Sequence, residues 1–315
     1  MPALGQLAFA NLDNRPMREW YRDGLGLLPS GGTIFAGPPA AKVNGLPAPL
    51  FPGRWLMDGR ERVQIELFRF IHPRPAARRA DETPADHGYR RAGFHVSHFD
   101  ATLARLARLG SAAVGPVQGG DSRRRACVRD PEGNWIELME EDPIAGRAEP
   151  ERWPGAGSRL RSVTICVPDL ESAGRSWHDG IGLPDAPSPL HAPEHEARWG
   201  LEGAENRSRT LDAGTALIEL VAYEDGLGNP APPGRRLCDQ GIMNVAFVAR
   251  DREQFDATFH RWVGAGFVPT NRTPLEAGIF RVMYFDLPSG ENVELLYPRR
   301  WAWRLTGFVP SPTWR

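Results

Sequence analysis

Cysteine is scarce: Cys127, Cys166 and Cys238 are the three in 315 residues. They are far apart and odd in number. That excludes a disulfide framework and a structural zinc site, and fits a reduced, cytoplasmic chain. A surplus of either charge is missing as well. Lys plus Arg number 38 against 39 Asp plus Glu, so neither a nucleic-acid surface nor a charged interaction tail is expected. No apolar run nears the roughly 20 residues of a membrane span. Met1 to Gln6 shows no basic stretch followed by an apolar run, so no secretory leader is expected. What remains is a chain of ordinary hydrophobic content, 41%, long enough for two domains that each bury a core. Its ten Trp and thirty Pro suit rigid loops around apolar pockets.

One stretch organises the rest: Asp130-Pro131-Glu132-Gly133-Asn134-Trp135-Ile136-Glu137-Leu138-Met139-Glu140. Pro131 and Gly133 supply a tight turn. From Trp135 the side chains alternate, with Trp135, Glu137 and Met139 on one face and Ile136 and Leu138 on the other. Glu137 is thus a carboxylate in apolar company, and needs a metal, a cation, a donor or a proton. The pattern returns at Asp286 to Leu296 around Glu294, with weaker echoes around Glu66 and Glu219. One buried Glu per closing strand, four times over, is the feature to explain.

In chain order, Leu4 to Leu12 alternates as a strand, and Asn14 is expected to cap a helix with Pro16 just inside it. Residues 29–53 are rich in Pro and Gly and predict a long loop with at most one short strand. That loop, with Trp55, is expected to lid an aromatic-lined pocket. Arg62 to Phe70 is a strand. Asp100 is expected to cap a helix over Ala101 to Leu109, with strands near 112–118, 123–129 and 134–140. The pattern restarts at Ser162 to Val167, and Trp177 to Pro184 closely repeats Trp20 to Leu27. A last unit carries strands at Asn244 to Val248 and near 267–270, 279–286 and 292–297. The repeat is therefore nested, two copies of a pair, and one unit alone is too small to bury both its faces. The expected division is a domain over 1–146, a linker over 147–157, a domain over 158–300 and a tail over 301–315. Trp301, Trp303, Phe308 and Trp314 in that tail are expected to pack on the body or on a partner.

Strand–helix–three-strand units, a helix leaving into Gly24-Leu25-Gly26-Leu27, and the Asp130 to Asn134 turn before an apolar-Glu-Leu strand resemble the vicinal oxygen chelate superfamily. That group includes glyoxalases, methylmalonyl-CoA epimerase, extradiol dioxygenases and bleomycin-resistance proteins. The resemblance implies an α+β fold of four βαβββ modules in two glyoxalase-like domains with curved mixed sheets. It also implies that two modules curl into a cup, with metal ligands from first strands, usually His, and last strands, usually Glu. Glu66, Glu137, Glu219 and Glu294 match the last-strand positions. The first-strand positions fall on Gln6, Arg91, Ser162 and Asn244, and none is His. A guanidinium has no lone pair for a metal, and the two-His, one-Glu triad of extradiol dioxygenases is absent at Ser162 and Asn244, so an iron ring-cleaving site is not expected.

Pairing within each half would place Gln6, Glu66, Arg91 and Glu137 in one cup, with Trp135, Met139, Phe68 and His95 around them. Arg91 would replace the metal, Glu137 would be its partner, and His95 would move a proton near neutral pH. The bland alternative is a buried ion pair beside a core histidine. The second cup would hold Ser162, Glu219, Asn244 and Glu294. Glu219, Asn244 and Glu294 form an oxygen set for one divalent ion, with His191 and His195 at the lip to reach a ligand or supply an imidazole. Pairing of first with fourth modules would give Gln6, Glu66, Asn244 and Glu294 instead. The expected function is a small-molecule isomerase, epimerase or lyase working by proton transfer next to an oxygen-bearing carbon, with or without metal. Its rivals are a protein that sequesters an aromatic compound or antibiotic, and a degenerate dioxygenase relative. The expected partner is a small apolar or aromatic oxygen-bearing molecule. No nucleotide cofactor, nucleic acid or membrane is expected, and the chain is expected to be a monomer or homodimer.

Overall fold

The protein is described here by a computed structural model covering residues 1–146, 151–224 and 226–311. Residues 147–150 of the expected linker, and Trp314, lie outside the described residues. Four modules follow one another. The first holds β1 (Ala3–Asn11), α1 (Asn14–Glu19), β2 (Leu28–Ala36), α2 (Gly37–Asn44), β3 (Leu50–Met57) and β4 (Gln64–Arg69). The second holds β5 (Gly88–Val96), α3 (Phe99–Arg108), β6 (Arg125–Arg129) and β7 (Trp135–Met139). The third holds β8 (Ser158–Cys166), α4 (Leu170–Gly174), β9 (Asn206–Asp212) and β10 (Leu217–Tyr223). The fourth holds β11 (Gly241–Val248), α5 (Arg252–Gly264), β12 (Val268–Pro269), β13 (Leu275–Glu276), β14 (Phe280–Asp286) and β15 (Asn292–Pro298).

Local chemistry explains where the elements depart from expectation. Asp13, not Asn14, caps α1, its carboxylate accepting the Arg15 N–H at 3.0 Å. His98 precedes α3, and Asp100 instead holds Arg124 at 2.8 Å. The strand expected at 112–118 shrinks to isolated bridges at Ala113 and Gln118. Residues 29–53 are not a loop: they form β2, α2 and β3. Some of their Pro and Gly fall at element ends, while Gly31, Gly32, Pro52 and Gly53 lie inside β2 and β3. Pro38 sits in the first turn of α2, where no helical N–H is lost, and Gly45 closes that helix at φ 68°.

The pairing, which the sequence leaves open, is decided by the two sheets. First joins fourth, and second joins third. One sheet runs β12-β14-β15-β11-β1-β4-β3-β2, with β13 on β14; the other runs β6-β7-β5-β8-β10-β9. In each sheet two first strands meet antiparallel at the centre, placing Ala8 opposite Asn244 and Arg91 opposite Thr164. Each closing strand lies parallel to its own first strand. Gln6 and Glu66 therefore share a cup with Asn244 and Glu294, while Arg91 and Glu137 share one with Ser162 and Glu219. The alternation along β1 shows why each sheet has two useful faces. Leu7 and Phe9 enter a core common to both sheets and the helices, whereas Ala8 and Ala10 face the cup. Trp20 and Trp177, at repeat-related positions, anchor that core, each burial contributing about 3 kcal/mol.

Candidate active site

The cup of the second and third modules neutralises itself. His191 sits between its two carboxylates, with Nε2 2.9 Å from Glu137 Oε2 and Nδ1 2.7 Å from Glu219 Oε1. Both ring nitrogens face acceptors, which calls for an imidazolium. Burial alone would lower the His191 pKa, but the two carboxylates raise it. Burial would likewise raise Glu137, yet His191, Arg125 and Arg198 hold it well below the usual carboxylate range. Glu219 is held down against burial by His191, Arg91 and Thr164. Arg198 forms a close ion pair with Glu137, and Arg125 stands 3.4 Å from it.

The expected Arg91–Glu137 pair does not form. Arg91 reaches Glu219 at 3.7 Å, donates to the Tyr223 hydroxyl at 2.9 Å and lies 4.0 Å over the Trp199 ring. His95 is half-exposed, farther along β5 and opposite Arg159. Burial lowers its pKa, with Arg161 and Arg159 adding and Asp142 opposing.

The plug is one segment. His195 Nδ1 accepts the Ala192 N–H at 3.0 Å. That ring is neutral, its pKa brought to about 4 by burial, Arg198 and His191. The 3₁₀ turn Pro193–Trp199 then lays Trp199 against Cys127 and Trp135. Met139 packs with Ile144, Leu190 and Leu217. Ser162 lies so close to Gly93 that a Cβ there would come 2.1 Å from its hydroxyl. Of the residues expected to contact substrate in this cup, Trp135 and Met139 are thus packed against its own plug, and Ser162 against β5.

The cup of the first and fourth modules is open. It is a cavity of about 300 Å³ lined by Phe35, Phe51, Trp55, Phe68, Phe280 and Tyr284, among others. Glu66 and Glu294 line the same cavity, 6% and 5% exposed. Among the described residues, neither has a cationic side chain within 4 Å. Trp55 Nε1 donates to Glu66 Oε1 at 2.9 Å. Burial pushes Glu66 up to about 8, with that hydrogen bond opposing. Glu294 is raised well above the usual range by burial and by the Glu66 charge, with Tyr284 opposing. Two such buried carboxyls in one cup retain a proton between them unless a cation enters.

The C-terminal segment fixes one further oxygen. Gln64 Nε2 donates to the carbonyls of Thr306 at 3.2 Å and Gly307 at 2.6 Å. Carbonyls only accept, so Gln64 must turn its own oxygen to Gln6, whose Nε2 donates to it at 2.6 Å. Gln6 Oε1 is left buried without a partner, and Gln6 lines the cavity. Asn244 gives its Nδ2 to Asn292 at 3.0 Å and leaves Oδ1 equally unpartnered. Glu66, Glu294 and the Gln6 amide line the cavity, with the Asn244 oxygen buried outside that lining; oxygen donors of this kind suit a hard divalent ion better than zinc or iron. Among the described residues no three His, Cys, Asp or Glu side chains gather as a metal site. The expected Glu219–Asn244–Glu294 set is divided, since Glu219 belongs to the plugged cup.

Sequence reasoning named Gln6, Glu66, Phe68 and Glu294, which line the open cup's cavity, and Asn244, which is not in its lining; it also allowed that His191 supplies an imidazole. It missed Tyr284, Gln64 and Arg198. The one available signal was that buried carboxylates need partners. Trp303 and Phe308 do pack on the body, Trp303 half-buried, but Trp301 is largely exposed.

A family model described as Glyoxalase/Bleomycin resistance protein/Dioxygenase superfamily matches residues 4–138. No curated protein sequence matches the chain. Among solved structures, glyoxalase I from Zea mays aligns at 18% identity and a TM-score of 0.62, covering 94% of this chain and 92% of that one. A protein from Bacillus subtilis named as a dioxygenase candidate aligns at 14% identity and a TM-score of 0.64, covering 97% and 89%. At such identities the likeness is one of fold. No helix is long and apolar enough to cross a membrane among the described residues.

Proposed function

Residues 4–138 match the glyoxalase, bleomycin resistance protein and dioxygenase superfamily, and nearly the whole chain shares the fold of glyoxalase I from Zea mays; from that premise we propose that its open cup catalyses proton transfer in a small, largely apolar, oxygen-bearing molecule. The reaction is that of an isomerase, epimerase or lyase, at the carbon next to the oxygen. The observation that carries this reading is the pair of buried carboxyls, Glu66 and Glu294, which share an aromatic cavity without an internal cation.

In this reading the aromatic wall takes the apolar body of the molecule and excludes water. Glu66, oriented by Trp55, removes the proton as its carboxylate and becomes the acid. Glu294, kept protonated by burial, donates a hydrogen bond to the substrate oxygen as negative charge develops there. In an isomerase the proton then returns to the adjacent carbon, in an epimerase to the opposite face of the same carbon, and in a lyase it leaves with the group expelled from the adjacent carbon; none of these needs an oxidant or reductant. Gln6, Glu66 and Glu294 are the residues that would hold a divalent ion. Such an ion would polarise the substrate oxygen and ionise both carboxyls.

The test is hydrogen–deuterium exchange in heavy water, followed by NMR, over a panel of aromatic and aliphatic α-hydroxy and α-keto compounds. Wild type is expected to exchange the proton beside the oxygen for at least one compound. Glu66→Gln is expected to lower that rate by about 100-fold or more, while Arg124→Gln, on the solvent side of the other sheet, leaves it unchanged. Exchange that survives Glu66→Gln would sink the assignment of the base. A compound that binds but never exchanges would make this a sequestering protein.

A further inference from the structure

Away from both cups, the segments leading into β5 and β11 are laced together. The Ala76 N–H donates to Asp239 Oδ1 at 2.8 Å, the Arg78 N–H to Gln240 Oε1 at 2.8 Å, and the Gln240 N–H to the Ala76 carbonyl at 3.0 Å. Between them lies a cavity of about 220 Å³. Five arginines line it, Arg78, Arg79, Arg90, Arg235 and Arg236, against two carboxylates, Glu82 and Asp239.

Four of the five are answered by acids. Glu82 pairs with Arg78 and Arg90, Asp239 with Arg236, and Asp86 with Arg79. Arg235 is not. Among the described residues no carboxylate lies within 4 Å of it, and its hydrogen bond is a long one, 3.4 Å to the Ile242 carbonyl. Arg78 Nε is also buried without a partner. Two strand-entry glycines, at positive φ, stand beside the guanidiniums. Gly88 (φ 107°) and Gly241 (φ 137°) stand at the starts of β5 and β11. A Cβ at Gly88 would lie 3.6 Å from Arg235 Nη1 and 3.8 Å from Arg90 Nη2. A Cβ at Gly241 would lie 3.4 Å from Arg235 Nη2 and 3.7 Å from Arg78 Nη2. Three guanidiniums converge on one small space with one carboxylate, Glu82, shared between two of them.

Guanidinium cannot shed its proton inside a protein, so this excess of positive charge cannot be relieved by titration. An anion from solution can relieve it, and paired N–H forks match the oxygens of a phosphate. We propose that this cavity binds a phosphate-class anion, either free inorganic phosphate or the phosphate of a small phosphomonoester, held chiefly by Arg235 with Arg78 and Arg90. The cavity lies where the second and fourth modules begin, one module from each sheet. A bound anion therefore ties the two sheets together at their entry loops, independently of either cup.

Calorimetry and thermal denaturation with inorganic phosphate, at constant ionic strength maintained with sodium chloride, test this directly. Glycerol 3-phosphate serves as the phosphomonoester arm. Saturable binding and a raised Tm are expected with one of the two, and the stronger of them identifies the source. Arg235→Met is expected to weaken that binding by about tenfold or more. In phosphate-free buffer the same variant is expected to melt at or above the wild-type Tm, because a buried charge without a partner has been removed. Arg108→Met, on the solvent face of α3, should change neither. Phosphate acting no better than chloride would overturn the proposal, as would undiminished phosphate binding by Arg235→Met. So would an Arg235→Met protein that is destabilised or fails to fold without phosphate, since that marks Arg235 as a packing residue.

Discussion

Two cups built on one plan have met the same electrostatic problem in opposite ways. Each brings two closing-strand glutamates into a hollow between paired first strands. In the plugged cup a loop histidine and three arginines answer the carboxylates, and indoles fill the remaining volume. In the open cup the wall is aromatic, and among the described residues the carboxyls have Trp55 and Tyr284 as their side-chain hydrogen-bond partners. The difference teaches that the acidic framework alone makes no active site. What matters is whether the chain supplies the counter-charge itself or leaves it to a proton, an ion or a ligand.

The contrast is broken most severely at His191. His191→Ala leaves Glu137 and Glu219 buried with a reduced share of cation, and is expected to destabilise the protein by about 3–5 kcal/mol. Urea denaturation measures this, and a loss below about 0.5 kcal/mol would mean that the imidazolium bridge contributes little.

Next comes pH. Glu66 has a folded pKa near 8, above its unfolded value of about 4.3. Between those values the folded state holds the extra proton, so stability from this site falls as pH rises and is fully lost above about 8. Glu137 and Glu219, held low, act in the reverse sense: their contribution is present above about 4.3 and is lost as pH falls below it. In chelator-treated protein, Glu66→Gln is therefore expected to flatten the alkaline decline. At pH 9 it should exceed wild type by on the order of 3 kcal/mol. Thermal melts from pH 5 to 9 follow it, and parallel curves for the two proteins would refute a shared buried proton.

The smallest effect sharpens the open cup's wall. Gly307 holds φ 74°, and a Cβ there would come 2.5 Å from Gln64 Nε2 and 2.6 Å from Trp55. Gly307→Ala should lift the segment off Gln64 and cost about 1–2 kcal/mol. Near-ultraviolet circular dichroism of the tryptophans should change with it. A variant with wild-type stability and spectrum would mean that the segment does not fix the Gln6 amide.

Much of the framework was legible from residue order. The alternation around Glu137 and Glu294, and the Trp20 and Trp177 repeats, announce strands, turns and helices because those patterns are local. Residues 29–53 read as a loop because Gly31, Gly32, Pro52 and Gly53, which lie inside strands, are also turn-forming residue types. His191 could be named only as a possible donor of imidazole, since an aperiodic loop says nothing of where it folds back.

The amino-acid order by itself determined four repeated modules, each ending in an inward carboxylate, since period-two burial is a property of a strand alone. Only the tertiary structure decided that first modules pair with fourth, which cup is plugged, and that Gln6 presents its oxygen. Those outcomes depend on contacts between residues as distant as Gln64 and Gly307 or Glu137 and His191, and no local pattern encodes which of several similar edges and loops will meet.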